Sequence, residues 1–437
     1  MRLTEFLKSR SEKQLIWTLF LVSLIIRLTF AIVSYYSMGT SNFDDDWVYD
    51  NIAREMLKQG VWLPDISHFD WREVAIGPGF PLIIFICYKL FGINYLIPMI
   101  ANAIASASLT VIIYYTARLV FDKKIAIVSA IWSLFYVYYI RWVPSLLKEN
   151  WVQFFFALSI LFLFQVIAQK HYLKYLILLS LVYTLLIHTD ERYLMFAPVF
   201  FVGILLLDKY CNESLSFVSG LKKSFVFTLL VCLFSLPWFI RNYSVYHKPV
   251  LLTQRTAFVV DKIFGYSSSY NYPQEIEVSD ATIDSVIKGY EIYDRTIEKE
   301  LKRVMKYGIY PRRFSFIEKV ISSFKEFWIA FRVKPSFTIE GFRAQEPWSL
   351  KHNLSVMLTY GILLPFMLIG FFLGLKKKDK LLWFLFIVIC FQTFIHLFIV
   401  LSNYRYRTPI DFIVITVAFY GLFEIIKIIK VRLHKAT

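Results

Sequence analysis

The chain has 437 residues, of which 57% are hydrophobic, 19% are aromatic and only 18% are charged. Soluble domains carry roughly 25% charged residues. The mean hydropathy of +0.55 and several apolar runs of about 20 residues, the length that crosses a bilayer, therefore exclude a soluble globular protein. The net charge of +16 is interpreted as the excess of Lys and Arg that orients cytoplasmic loops, so nucleic acid is not expected as a partner.

Ten apolar runs are predicted to cross the membrane as helices. They cover residues 15–36, 95–117, 125–140, 145–168, 172–188, 193–207, 224–240, 354–375, 381–401 and 408–429. An eleventh run, 80–91, would rise only about 18 Å as a helix, which is too short for a hydrocarbon core of about 30 Å. When this run is left out, the basic clusters between alternate spans and the basic tail all fall on the side of the N-terminus. The positive-inside rule then predicts that both termini are cytoplasmic and that run 80–91 is an apolar helix at the outer surface.

These runs predict an all-α integral membrane protein with two elaborated outer segments. Its parts are a transmembrane module (1–240) that includes the first outer loop (37–94), a long outer loop (241–351) and the C-terminal spans (352–437). In the long loop, residues 280–307 lack proline and are predicted to be helical. Residues 314–331 repeat apolar side chains at spacings of three to four. That pattern predicts an amphipathic helix resting on the membrane or on the protein body.

Three consecutive aspartates, Asp44, Asp45 and Asp46, follow the first predicted span. The next residues, from Tyr49 to Leu57, predict a short helix. One interpretation is that a single aspartate caps this helix while the others are solvated. The other is that one carboxylate acts as a general base on an acceptor hydroxyl.

Polar side chains also gather at the outer ends of several predicted spans. They are Lys148, Glu149, Asp190, Glu191, Arg192, Arg241, Asn242, Tyr404, Arg405 and Arg407. Guanidinium forks match phosphate oxygens, so these cations beside an acidic loop predict one cavity that binds an anionic group. The alternative for each single cation is that it reaches the lipid headgroups. Arg27 lies well inside the first span, where charge is costly and usually functional, unless it too extends outward.

Seven segments resemble, in the same order, the GT-C superfamily of membrane glycosyltransferases that contains the dolichyl-phosphate-mannose:protein mannosyltransferases and the aminoarabinose transferases. They are DDDWVYDNIAREMLKQG (44–60), GPGFPLIIFICYKLFG (77–92), SLLKENW (145–151), HTDERYLMFAPVF (188–200), PWFIRNY (237–243), KYGIYPRRF (306–314) and NYRYRTPID (403–411). The resemblance extends over nearly the whole chain. It is specific to the superfamily and not to one substrate.

The resemblance implies roles for individual residues. Asp45 lies four residues before Tyr49, as in the family pattern, so it is expected to be the general base, with Tyr49 lining the site. Asp44 and Asp46 are its neighbours, and Glu149 matches the second acid of the family. Glu73 also belongs to the expected lining. The aminoarabinose branch has Lys after this Glu, whereas this chain has Val74, so the identity of the donor stays open.

The predicted function is transfer of a monosaccharide from a polyprenyl-phosphate carrier to an acceptor hydroxyl, with inversion, on the outer face of the plasma membrane. The cations predicted to hold the donor phosphate are Arg241, Arg405, Arg407, Lys148, Arg192 and Arg27. Asn242 and Tyr404 are expected to line the site, and neither a metal nor an obligatory cofactor is expected. Two alternatives remain: a carrier such as a lipid-linked sugar flippase, which needs polar residues along a path to the inner face, and a structural subunit. The acceptor is left open as lipid, protein or glycan.

Overall fold

A computed structural model of the chain shows a helical bundle. It describes residues 11–38, 46–60, 76–168, 171–211, 217–247, 250–253, 316–333, 336–338, 343–345, 347–398 and 403–436. The predicted helix 280–307 lies outside the described residues.

The bundle is built from helices that follow one another with short connections. In chain order they are α1 (Glu12–Met38), α2 (Asp46–Gln59), α3 (Gly79–Phe91), α4 (Leu96–Val120), α5 (Lys123–Leu134), α6 (Val137–Arg141), α7 (Glu149–Ile167), α8 (Tyr172–Thr189), α9 (Ala197–Cys211), α10 (Phe217–Tyr246), α11 (Phe316–Phe327), α12 (Leu350–Val356), α13 (Leu363–Lys376), α14 (Lys380–Phe398) and α15 (Asp411–Ala436). Short 3-10 turns precede α9 and α15, at Glu191–Phe196, Tyr404–Tyr406 and Thr408–Ile410. One π-helical turn, Met357–Gly361, joins α12 to α13.

Eight helical segments among the described residues are long and apolar enough to cross a membrane. This confirms the predicted class of integral membrane protein. Two of the ten predicted spans, 125–140 and 193–207, form helices too short to be counted among these eight. The run 193–207 begins with a 3-10 turn, and α9 covers only 15 residues. Helix α9 starts at Ala197, one residue before Pro198. Proline has no N–H to donate to the preceding turn, so it is favoured in the first turn of a helix.

The run 125–140 is the second short one, because it breaks after Leu134. Helix α5 has 12 residues, a rise of about 18 Å. Beyond the break, polar contacts to other helices hold the backbone. The Tyr136 hydroxyl donates to Asp411 at 2.7 Å, and the Ser106 hydroxyl donates to the carbonyl of Tyr139 at 2.6 Å. The segment therefore packs as two short helices instead of one straight span.

The two ends of the bundle differ in their polar contacts. At one end, each of three contacts measures 2.6 Å: Tyr114 to Glu12, Lys223 to Asp208 and Lys377 to Glu424. At the other end, Lys148 pairs with Asp190 and Arg405 pairs with Glu149. The first end thus gathers residues predicted to be cytoplasmic, and the second gathers residues predicted to be outside. Which end faces the cytoplasm stays a prediction.

Helices α2 and α3 form a pair beside the second end, held by one buried carboxylate. Asp50 of α2 accepts hydrogen bonds from the hydroxyls of Tyr88 (2.7 Å) and Tyr95 (2.8 Å) and from Nε of Arg54 (2.7 Å). The apolar run 80–91 is a helix, as predicted, and α3 packs its buried face against α2. The acidic end of α2 is therefore fixed relative to α3.

Helix α3 begins in direct contact with the end of α8. A Cβ atom on Gly79 would lie 2.5 Å from the Thr189 hydroxyl and 2.7 Å from the Thr189 backbone nitrogen. Real Cβ atoms do not approach so closely, so only glycine allows this packing. The contact places the α2–α3 pair next to residue 190, where the 3-10 turn begins.

The predicted amphipathic helix of the long outer loop is α11. Ile317, Ile321 and Phe324 are exposed, whereas Phe327 is fully buried. The Phe327 ring stacks on the His396 ring of α14 with centroids 5.3 Å apart, so the buried side of α11 rests on the protein body. Two short strands follow, β1 (Ser336–Thr338) and β2 (Arg343–Gln345), paired antiparallel. Strands of three residues are too short to give an alternating sequence pattern.

Candidate active site

A small charged pocket, with a cavity volume of about 10 Å³, opens at the second end of the bundle. It is lined by Lys148, Glu149, Val152, Asp190, Arg192, Tyr193, His396, Arg405, Tyr406 and Pro409. Three of these side chains are cations and two are carboxylates, so the pocket has a net positive charge when His396 is neutral. Among the residues that the structure describes, no three His, Cys, Asp or Glu side chains gather as metal ligands would. The pocket is therefore suited to an anion.

Asp190 is the more firmly held carboxylate of the pocket. Its Oδ1 accepts a hydrogen bond from Nε of Arg192 at 2.8 Å, and Nη2 of Arg192 donates to Oδ2. The ammonium group of Lys148 lies 3.5 Å from Oδ2. Burial raises the pKa of Asp190, but the charges of Arg192 and Lys148 outweigh this effect and hold the pKa below its usual value. Burial lowers the pKa of Arg192, but the charge of Asp190 outweighs this effect and raises it, so both groups of this pair stay charged.

Glu149 is the second carboxylate, and its contacts are looser. It is the first residue of α7, where the helix dipole favours negative charge. Its Oε1 lies 3.5 Å from Nε of Arg405. Its Oε2 is buried and has no hydrogen-bond partner among the described residues. The side chain of Arg405 is 27% exposed, so this pair lies at the open side of the pocket.

Tyr406 forms the floor between the two guanidinium groups. Its ring centroid lies 3.8 Å from Cζ of Arg192 and 4.9 Å from Cζ of Arg405, and Nη2 of Arg405 donates to the Tyr406 hydroxyl at 3.0 Å. His396 stacks on the same ring at 5.3 Å. Cations over an aromatic face are attracted by its quadrupole, so Tyr406 holds two like charges close to each other.

Amide side chains from neighbouring helices position the loops that carry these groups. Asn102 of α4 donates to the carbonyl of Ser145 at 2.7 Å, which fixes the loop before Lys148. Gln392 of α14 donates to the carbonyl of Tyr406 at 2.8 Å. Because the loop carbonyls are bonded to rigid helices, the charged side chains project from fixed backbone.

Arg407, which the sequence placed at the donor phosphate, does not line the pocket. It is fully buried, and its Nε donates to Asp411 at 2.9 Å. Its Nη1 donates to the carbonyls of Phe327 (3.2 Å) and Ile329 (3.3 Å), and its Cζ lies 3.5 Å from the ring centroid of Tyr360. Arg407 thus ties the end of α11 to α15.

Arg27 and Arg241 also lie outside the pocket lining. Arg27 is fully buried between helices and donates to the hydroxyl of Ser106 (2.7 Å) and the carbonyl of Ser133 (3.0 Å). Arg241 donates to Oδ1 of Asn242 at 3.1 Å, and Asn242 itself is buried at the end of α10. The structure therefore brings together Lys148, Glu149, Arg192 and Arg405 of the predicted set, and places the other three arginines elsewhere.

The residues predicted to line the site pack against other elements. Tyr49 lies edge-on to Phe80, with centroids 5.2 Å apart, and Asp46 is the buried first residue of α2. Tyr404 stacks on Trp142, with ring centroids 6.4 Å apart, and meets Trp348 edge-on at 5.3 Å. Three predicted residues lie outside the described residues, namely Asp44, Asp45 and Glu73.

Six residues of the pocket were not among the predicted site residues: Val152, Asp190, Tyr193, His396, Tyr406 and Pro409. For Asp190 and Tyr406 a signal exists in the sequence, because Asp190 is two residues from Arg192 and Tyr406 stands between two arginines. His396 gives no such signal, since it is a lone histidine in an apolar run and only the packing of α14 brings it to the pocket.

Residues 76–239 match the dolichyl-phosphate-mannose-protein mannosyltransferase family, and no curated protein matches the chain. The fold is similar to that of the Archaeoglobus fulgidus oligosaccharyltransferase in the apo form, with a TM-score of 0.59 and 14% identity. The match covers 97% of this chain and 52% of that one, so the chain spans about half the length of the archaeal protein. The same protein, AglB, in complex with an inhibitory peptide and a dolichol-phosphate, gives a TM-score of 0.57 at 12% identity, with 97% and 52% coverage.

A further similar structure is ArnT from Cupriavidus metallidurans bound to undecaprenyl phosphate, with a TM-score of 0.45, 14% identity, and coverage of 94% of this chain and 77% of that one. The family match over 76–239 lies on α3 to α10, which include the loops that carry Lys148, Glu149, Asp190 and Arg192. The chain is thus similar over these helices to the dolichyl-phosphate-mannose-protein mannosyltransferase family, and it shares the fold of the archaeal oligosaccharyltransferase.

Proposed function

We propose that this chain transfers a monosaccharide from a polyprenyl-phosphate carrier to an acceptor hydroxyl at the outer face of the plasma membrane. The observation that carries the proposal is the pocket in which Lys148, Arg192 and Arg405 surround one space at a single end of a membrane bundle. A similarly folded protein holds a dolichol-phosphate, which supports a lipid phosphate as the ligand of this pocket.

The three cations suit a phosphate that becomes a leaving group. When the bond between the sugar and the phosphate breaks, negative charge grows on the phosphate oxygen. Preorganised cations in a partly buried site stabilise such charge more strongly than water does. Since Asp190 already balances part of the positive charge of Arg192 and Lys148, the pocket attracts one phosphate without carrying a large excess charge.

The reaction itself needs a base for the acceptor. In the proposed step, the acceptor hydroxyl oxygen attacks the anomeric carbon as the bond from that carbon to the phosphate oxygen breaks. The electron pair of that bond leaves with the phosphate, and the hydroxyl proton passes to Asp45, which gives inversion at the anomeric carbon. Asp45 directly precedes α2 in the sequence, and the α2–α3 pair contacts Thr189 beside the pocket, which supports this role.

Sugar transfer in membranes that contain the chain tests the proposal. Radiolabelled polyprenyl-phosphate sugars from a panel are supplied, with total membrane as acceptor, to the wild type and to Asp45→Asn. We expect label in a new product with the wild type, and at least about a hundredfold less with the variant, because general-base groups contribute roughly 10²–10⁴-fold. Glu424→Gln serves as the matched control, since it removes a carboxylate at the opposite end of the bundle.

Two results would contradict the proposal in different ways. Equal transfer by wild type and Asp45→Asn would remove Asp45 as the base and turn attention to Asp44, Asp46 and Glu149. No transfer from any donor in the panel, with label instead moving across the bilayer on its lipid, would identify a carrier.

A further inference from the structure

The two carboxylates of the pocket are held in different ways. Asp190 accepts two hydrogen bonds from the Arg192 side chain and faces Lys148. Glu149 has its ion-pair contact at 3.5 Å from Nε of Arg405, longer than the 2.7–2.9 Å of a charge-assisted hydrogen bond. Its buried Oε2 has no hydrogen-bond partner among the described residues. A buried polar atom without a partner is costly, so the Glu149–Arg405 pair is the weaker one.

Arg405 is also the cation most open to a ligand. Its side chain is 27% exposed, against 16% for Arg192 and 12% for Lys148. A bidentate phosphate contact uses two neighbouring N–H donors of one guanidinium. In Arg405, Nε already faces Glu149 and Nη2 donates to the Tyr406 hydroxyl. A phosphate that binds the Nε–Nη2 edge of Arg405 must therefore replace Glu149 at Nε.

We propose that the donor phosphate displaces Glu149 from Arg405, and that the released Glu149 carboxylate then receives the acceptor or the sugar hydroxyl. The released carboxylate sits at the N-terminus of α7, where the helix dipole favours an anion. The donor therefore binds before the acceptor. This inference rests on the proposed function and deepens it by giving Glu149 two successive partners.

The displacement predicts that removing the Glu149 carboxylate should strengthen phosphate binding. Binding of a polyprenyl phosphate that lacks the sugar is measured with the purified full chain in lipid nanodiscs. We expect Glu149→Gln to lower the dissociation constant about tenfold, which corresponds to about 1.4 kcal/mol, while the rate of sugar transfer falls. The control Glu424→Gln makes the same chemical change at the opposite end and should leave the dissociation constant as in the wild type.

A double-mutant cycle tests whether the effect passes through Arg405. Arg405→Ala alone should weaken binding, and in the Arg405→Ala background Glu149→Gln should give no gain, because the competition is gone. Coupling between contacting residues is seen as such non-additivity. An equal gain in both backgrounds would show that Glu149 acts by general charge repulsion and would overturn the displacement.

The outcomes separate this inference from the proposed function. If the wild type binds the probe and a folded Glu149→Gln binds it equally or more weakly, the displacement is wrong and the proposed function is untouched. If the wild type does not bind the probe at all, the pocket is not the phosphate site and the proposed function fails as well. Should Glu149→Gln fail to fold, Glu149→Asp replaces it. The shorter side chain should retreat from Arg405 and give a smaller gain, and binding no tighter than in the wild type would overturn the inference.

Discussion

Replacing Arg407 by methionine separates a structural arginine from a phosphate ligand. In the folded protein this guanidinium contacts the carboxylate of Asp411 at 2.9 Å and the carbonyls of Phe327 and Ile329 at 3.2 and 3.3 Å. Arg407→Met therefore leaves the fully buried Asp411 carboxylate with a hydrogen bond from the Tyr136 hydroxyl but without its ion-pair partner. It also deprives two carbonyls of a donor.

The expected loss follows from these contacts. Breaking a buried ion pair by removing one partner costs about 3–5 kcal/mol, and carbonyls left without a donor add about 1–3 kcal/mol each when they stay dry. The terms are not additive, so we expect Arg407→Met to lower the free energy of unfolding by at least about 3 kcal/mol. Arg407→Met combined with Asp411→Leu should recover part of this loss, because no buried charge then remains.

Thermal unfolding of the purified chain, followed by intrinsic fluorescence, measures the effect. Limited proteolysis of residues 316–333 reports whether α11 has separated from α15. We expect a fall of several degrees in the unfolding temperature and faster cleavage. If Arg407→Met unfolds at the wild-type temperature and instead binds polyprenyl phosphate more weakly, the reasoning is refuted and Arg407 belongs to the phosphate site.

Asp190→Asn should destabilise the chain in a pH-dependent way. Arg192 and Lys148 hold the pKa of Asp190 below its unfolded value, which is about 3.9. The carboxylate therefore contributes stability above about pH 4, and this contribution is lost as the pH falls towards the folded pKa. The difference in unfolding temperature between wild type and variant should be full at pH 7 and shrink below about pH 4; a constant difference would contradict the role of the charge. Gly79→Ala should cost about 1–3 kcal/mol by overpacking, because its Cβ would lie 2.7 Å from the backbone nitrogen of Thr189. Unfolding at the wild-type temperature would show that α3 shifts freely.

Local patterns in the sequence were sufficient for the membrane class and for four of the residues that line the pocket. Apolar runs predict spans because each run of about 20 apolar residues is long enough to cross the bilayer core by itself, whatever its neighbours are. The alternation of basic loops then predicts which span ends lie together. Lys148, Glu149, Arg192 and Arg405 come from three such ends, and the structure joins them in one pocket.

The same patterns did not separate the arginines that line the pocket from those that are buried elsewhere. Arg405 and Arg407 are two residues apart in the segment NYRYRTPID, and nothing in their local sequence distinguishes them. Along the 3-10 turns that hold this segment, Arg405 turns towards the open pocket and Arg407 towards Asp411. Burial depends on the residues that pack from elsewhere, here the end of α11, so the difference is invisible until that segment is in place.

The sequence by itself thus determined that this is a membrane protein, where most of its helices lie and at which end of the bundle charged side chains collect. Each of these properties depends on composition within a short window of the chain. Only the tertiary structure decided which charges meet. It paired Asp190 with Arg192 and Lys148, set Glu149 loosely against Arg405, and laid both guanidinium groups on Tyr406. The contact between Glu149 and Arg405 joins residues more than two hundred positions apart. Its energy depends on a distance of a few ångströms, which no local sequence pattern encodes.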